Sequence, residues 1–181
     1  MSEPTPSGLG PGFGVYLHIP FCSRRCDYCA FATYTDRHHL IEDYLAACRD
    51  ELDRAVATGL PEVTTVFVGG GTPTQVDPEW LGVVLDRIPI ASGAEVTVEC
   101  NPDDVTVSML RSYRRHRVNR VSFGVQSMVP EVLATLGRSH HPDNVRRAVD
   151  AVSAAGLATF NLDIIYGAAG ETLEQWERTV R

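Results

Sequence analysis

Strand-like and helix-like segments alternate from one end of this chain to the other, and that order restricts its fold more than any single residue does. Five short runs rich in β-branched and apolar residues, 15–19, 64–68, 95–100, 120–126 and 159–166, read as strands. Between them, Leu40, Ile41, Tyr44, Leu45, Cys48, Leu52 and Val56 share one face of a helix that Gly59 should stop. Asp77 is placed to cap a second helix, with Pro78 in its first position. Further helices are expected over 106–116, 130–136 and 142–155, with Gly137 and Gly156 as stops after the last two. A sixth should open at Thr172, which stands in capping-box spacing with Gln175.

Strand–helix alternation calls for parallel strands joined by right-handed helical crossovers, an α/β fold. It does not choose between an open sheet and a barrel; the polar residues inside the strands bear on that. A period of two puts Tyr16 with His18, Thr97 with Glu99, Ser122 with Gly124 and Gln126, and Asn161 with Asp163. A strand covered on both sides by helices should be almost continuously apolar. One polar face suits a lumen that holds a polar ligand, so the expectation is a partial (β/α) barrel. No closing strand follows the helix at Thr172, so the barrel should be incomplete at its C-terminal side and the chain the front portion of a longer protein. Residues 1–13, rich in Pro, Gly and Ser, read as a disordered tail, and 14–181 as one core domain.

The formal net charge of −7 disfavours broad binding to a phosphate backbone. The local run Arg111, Arg114, Arg115, Arg117 and Arg120 reads as a solvated helix face. No apolar stretch approaches the ~20 residues of a membrane-spanning helix. With no signal peptide legible, a cytoplasmic protein is expected. Its five cysteines, an odd number, fit reduced ligands or core residues better than disulfides.

Three of those cysteines, Cys22, Cys26 and Cys29, form a C-x3-C-x2-C run just beyond the first strand. Thiolates are the usual ligands of iron–sulfur clusters. Three in one loop would leave one iron of a cubane without a protein ligand, open to the amine and carboxylate of an amino-acid end. A structural zinc site wants a fourth soft ligand, and only His18 lies near. A redox dithiol leaves Cys22 unexplained. Cys48 and Cys100 sit in apolar patterns and read as small core residues.

Gly69, Gly70 and Gly71, followed by Thr72 and Pro73, come directly after the second strand. Such a run leaves backbone amides uncovered and permits close approach of a ligand. Glu99 and Gln126 end their strands, and Asp163 lies late in the fifth. In parallel barrels the strand C-termini share one rim, and that rim carries the site. The pairs His38–His39 and His140–His141 read as surface or capping residues.

At this point the sequence resembles a radical S-adenosylmethionine protein, over nearly all of residues 14–181. It looks most like the oxygen-independent coproporphyrinogen III oxidase family and its relatives, the HemW-type heme chaperones. The resemblance is carried by Tyr16-Leu17-His18-Ile19-Pro20-Phe21-Cys22, the cysteine loop, Gly69-Gly70-Gly71-Thr72-Pro73-Thr74, Phe123-Gly124-Val125-Gln126-Ser127, Leu136-Gly137-Arg138 and Asn161-Leu162-Asp163. It implies that Cys22, Cys26 and Cys29 ligate a [4Fe-4S] cluster. It also implies that Tyr16, Tyr28, Gly70, Gly71, Thr72, Glu99, Gln126, Arg138 and Asp163 line the S-adenosylmethionine site. Arg138 suits a carboxylate, and Glu99 and Asp163 suit ribose hydroxyls or an amine. The dehydrogenases of this family resemble one another in a fourth cysteine two residues beyond the third; here Phe31 follows Ala30. That departure looks like the chaperone branch, which binds heme and is thought to pass it to an acceptor protein. Its heme-associated motifs would lie beyond residue 181. The alternatives are a coproporphyrinogen dehydrogenase and, disfavoured by charge, a radical enzyme acting on RNA.

Overall fold

A computed structural model describes residues 12–181. Five strands form one parallel sheet in the order β1 (Phe13–Ile19), β2 (Val63–Gly70), β3 (Ile90–Cys100), β4 (Arg120–Gln126) and β5 (Thr159–Ile164). The crossovers contain α1 (Ile41–Ala57), α2 (Pro78–Leu85), α3 (Val107–Arg115), and the pair α4 (Pro130–Thr135) and α5 (Pro142–Ala155); α6 (Leu173–Val180) follows β5. Each strand is bonded to its sequence neighbours, with no reversal of order. A doubly wound sheet would show such a reversal. This open sheet is therefore one arc of a (β/α) barrel, the architecture that the polar strand faces called for.

The helix signals operate as written. The Asp77 carboxylate accepts from the Glu79 amide at 2.8 Å, ahead of Pro78. Thr172 and Gln175 close a reciprocal capping box, and Gly156 ends α5 in the left-handed region. On the helix-covered face of the sheet, Val66, Val68, Val96, Val98, Val121 and Phe123 are buried against Leu110 and Tyr113 of α3 and Val145, Ala148 and Val152 of α5. Burying each large apolar side chain contributes roughly 1.5–3 kcal/mol, which makes this layer the main stabilising term. The equivalent face of β5 is less covered: Phe160, Leu162 and Ile164 are 39%, 40% and 41% exposed.

Four strands differ in their bounds from the sequence reading, and β2 runs Val63–Gly70, one residue earlier and two later than expected. β1 begins at Phe13, the last residue of the expected tail, which pairs with Val63. The rest of that stretch, residues 1–11, lies outside the described residues. β3 starts at Ile90 instead of 95, because Ile90 pairs with Val63 while Glu95 pairs with Thr65. The extra residues between them bulge around Gly93, whose φ of 80° breaks the alternation a strand normally shows. β5 ends at Ile164, two residues short of Tyr166. Among the described residues no helix is long and apolar enough to cross a membrane.

Candidate functional site

The cysteine loop leaves β1 and is pinned at three points. At its base Phe21 bridges to Tyr34, with the Cys22 amide donating to the Tyr34 carbonyl at 3.0 Å. In its return limb, His18 Nε2 bonds the Ala32 carbonyl at 2.9 Å. At its tip, the Asp27 amide donates to the carbonyl of Leu136, in the turn after α4, at 3.3 Å. The Cys29 amide closes a turn onto the Cys26 carbonyl at 3.1 Å, which holds the C-x2-C pair in one bend. All three thiols are free; Cys22 is buried, while Cys26 and Cys29 are half-buried. Burial pushes the Cys22 thiol above its ordinary value, and the neighbouring Cys29 and Cys26 push the same way.

The glycine loop corrects one expectation. Its amides are not open to a ligand: Gly70 N–H donates to Glu99 Oε2 at 3.0 Å, Gly71 N–H to Ile19 O at 2.7 Å and Thr72 N–H to Phe21 O at 2.8 Å. A Cβ on Gly71 would stand 2.6 Å from the Ile19 carbonyl oxygen, and one on Gly70 would strike the His18 ring. Glycine is required here so that β2 can end against the start of the cysteine loop. The run is a joint between two loops, and its amides are consumed in making it.

Side chains from the strand ends complete the rim. Ser122 Oγ donates to Asp163 Oδ2 at 2.8 Å, and Asn161 Nδ2 bonds both Ser122 Oγ (3.1 Å) and Asp163 Oδ1 (2.6 Å). Gln126 sits at φ 63°, at the point where the β4–β5 register shifts, a backbone state that costs a non-glycine residue about 1–2 kcal/mol. Gly124 makes room for it: a Cβ there would press on Gln126 Nε2 at 3.2 Å and Arg138 Nη2 at 3.5 Å. Arg138 donates to the Gly124 carbonyl at 2.6 Å and to Asn101 Oδ1 at 3.3 Å.

Together these residues enclose a cavity of about 250 Å³ lined by all three loop cysteines, Gly70, Gly71, Thr72, Tyr28, Glu99, Gln126, Arg138 and Asp163. Two buried polar atoms on its wall, Arg138 Nε and Thr33 Oγ1, have no partner. Left unsatisfied, each costs about 1–3 kcal/mol, so the cavity is shaped for a polar guest. Glu99 is pushed above its ordinary value by burial, partly offset by the Gly70 amide. Tyr28 is pushed up to about 12, first by burial, with the Arg138 charge pulling the other way.

Tyr16 does not reach this cavity wall: it stacks on Phe67 with ring centroids 6.1 Å apart and bonds His18 Nδ1 at 3.2 Å. Phe31 lines the mouth and is 59% exposed. The sequence reading missed Asn101, Thr33 and Cys100 as cavity walls. Asn101 and Cys100 stand at the C-terminal end of β3, so the rule that singled out Glu99 reaches them too. Cys100 is otherwise the small core residue expected, as the half-buried Cys48 is. His141 caps α5 as read, accepting from the Asp143 amide at 3.2 Å. His140 is not on the surface: it is 5% exposed with neither ring nitrogen bonded, and burial together with the Arg138 charge lowers it to about 4.

Among the described residues, no three His, Cys, Asp or Glu side chains converge closely enough to hold a single metal ion. Tetrahedral zinc needs thiolates about 2.3 Å from one centre. A cubane binds each thiolate at a different iron, so three cysteines around a cavity wall suit it better.

The chain matches the model of the Radical SAM superfamily over residues 16–181. It is 39% identical over 171 residues to the heme chaperone HemW of Escherichia coli, covering 91% of this chain and 45% of that protein. It is 42% identical over 179 residues to the heme chaperone HemW of Mycobacterium tuberculosis, covering 94% and 46%. Its fold superposes with a TM-score of 0.84 on the coproporphyrinogen III oxidase HemN from Escherichia coli, at 27% identity, covering 93% of this chain and 40% of that one. The chain thus spans about half the length of the curated relatives it matches. With a parallel barrel arc and a three-cysteine loop at its C-terminal rim, this chain belongs to the radical S-adenosylmethionine superfamily.

Proposed function

We propose that this chain binds a [4Fe-4S] cluster through Cys22, Cys26 and Cys29, holds S-adenosylmethionine beside it, and serves as the cofactor-binding part of a cytoplasmic HemW-type heme chaperone. The observation that carries the chaperone reading is Phe31. A ring stands at the mouth of the cavity where the resembling dehydrogenases carry a fourth cysteine, and a ring cannot act as a thiol donor or relay. The identities to heme chaperones agree with it.

When bound, such a cluster supplies one electron to the sulfonium of the ligand. The protein's share is position and shielding. The free Arg138 Nε–H suits the ligand's carboxylate, and the half-buried Glu99 and exposed Asp163 carboxylates on the cavity wall suit its amine and ribose hydroxyls. Tyr28, Gly70, Gly71, Thr72 and Gln126 form the walls, and Tyr16 acts from behind by holding His18. Heme is the cargo and a second protein its acceptor.

The runner-up is oxidative decarboxylation of coproporphyrinogen III, favoured by the likeness to HemN. Both are tested in one preparation of the natural gene product, reduced and supplied with S-adenosylmethionine. Product is followed by chromatography beside a heme titration. The chaperone reading expects stoichiometric heme binding, release to an acceptor and no protoporphyrinogen, with Phe31→Cys creating no activity. Multiple turnovers of coproporphyrinogen by the unaltered protein would replace it with the dehydrogenase.

A further inference from the structure

Two of the three loop cysteines receive a hydrogen bond at sulfur from outside their loop. The Thr72 hydroxyl donates to Cys22 Sγ at 3.5 Å, and Arg138 Nη1 donates to Cys26 Sγ at 3.7 Å. The side-chain contact to Cys29 is of another kind: Arg25 donates to its carbonyl at 3.4 Å. The two donors come from separate elements, Thr72 from the glycine joint after β2 and Arg138 from the turn after α4.

The second donor is aimed by its surroundings. Arg138 Nη2 is tied to the Gly124 carbonyl and Asn101, which fixes the plane of the guanidinium. One residue earlier, Gly137 has φ 69°, and a Cβ there would stand 2.8 Å from the Asp27 carboxyl. With Leu136 accepting the Asp27 amide, residues 136–138 clamp the loop tip and turn the cation toward Cys26.

Donors and positive charge at thiolate sulfur favour the more negative state of a cluster. Hydrogen bonds to sulfur and burial are principal determinants of iron–sulfur potentials. Arg138 is also part-buried, where solvent screens its charge weakly. We infer that Thr72 and Arg138 are positioning residues for the cluster itself, which raise its reduction potential by donating to Cys22 and Cys26 before any ligand binds. This rests on the proposed cluster and adds to the Arg138–carboxylate contact a role independent of it.

The test is an EPR-monitored redox titration of the reconstituted protein without S-adenosylmethionine, each cluster gaining one electron from a low-potential chemical reductant. Iron content and Mössbauer spectra are taken on the same samples. Arg138→Gln should disfavour reduction about tenfold, the size of a hydrogen bond from a charged group. That is a shift of about 59 mV to lower potential for a one-electron couple. Thr72→Val should shift it the same way by less, while Arg138→Lys and Thr72→Ser should recover most of each loss. Unchanged potentials in Arg138→Gln and Thr72→Val at full iron content would overturn the inference. So would loss of iron from both, since donors that only tune leave ligation intact. If the parent protein forms no [4Fe-4S] cluster, it is the cluster reading that fails.

Discussion

The two ends of the sheet use polar side chains in opposite ways. At the strand starts, polar groups finish the backbone. Asn119 stands in for a missing ladder residue, accepting from the Val96 amide at 2.9 Å and donating to the Ala94 carbonyl at 2.8 Å. Arg117 donates to the Ile90 carbonyl at 2.5 Å. At the strand ends, two buried donors go unused, Glu99 is held in a desolvated place, and Gln126 sits in a left-handed conformation as the last residue of its strand. Arg117 is left-handed too, but just past the end of α3, where that geometry is customary. One end of the barrel arc is built for stability; the other gives up stability to keep groups available.

The sharpest separation of the two ends is a pair of substitutions. Cys26→Ala should abolish or degrade the reconstituted cluster, read as iron content and visible absorption, with little change in the melting of the unloaded protein. Asn119→Ala should do the reverse. It should cost about 1–3 kcal/mol in a denaturant titration, by leaving the Val96 amide and Ala94 carbonyl unpaired, and leave iron content unchanged. Iron loss in Asn119→Ala comparable to that in Cys26→Ala would erase the distinction.

Next in size is a pH effect at the rim. His140 is neutral in the fold, lowered to about 4 from the ordinary 6.5. Its contribution to stability is therefore full above about pH 6.5 and lost as pH falls from there toward 4. In His140→Phe that part of the acid loss should vanish, so the difference between parent and variant midpoints in urea should change as pH drops from about 6.5 toward 4. Parallel curves would show that His140 is not the group titrating.

The smallest effect is expected at Gln126. Gln126→Gly relieves the left-handed strain and should gain up to about 1 kcal/mol, the glycine's own entropy cost offsetting part of the relief. If the strain serves the site, the same variant should respond less to S-adenosylmethionine. A gain in stability with an undiminished response would make the strain incidental.

Much of this was legible from residues alone. The helix stops, the caps at Asp77 and Thr172, and the gathering of Glu99, Gln126 and Asp163 on one rim follow from local rules that packing did not overrule. The rest was not legible, and two cases show why. Whether Gly70 and Gly71 offer amides to a ligand depends on what lies opposite, and opposite them lie Glu99 and the Ile19 carbonyl. Whether a histidine is buried depends on what lies against it, here the surroundings of Asp103 and Val125, and His140 looks no different in sequence from His141. Both misreadings concern partners far along the chain, which a local pattern does not contain.

The central claim is that the strand-end rim holds a cubane with one iron open to S-adenosylmethionine. It is tested most directly by the EPR spectrum of the reduced, reconstituted protein before and after that ligand is added. The account predicts a [4Fe-4S] signal that changes on addition, and a weaker change in Asp163→Ala at equal iron content. A colourless zinc-loaded protein that resists reconstitution, or a full cluster whose spectrum the ligand leaves untouched, would contradict it.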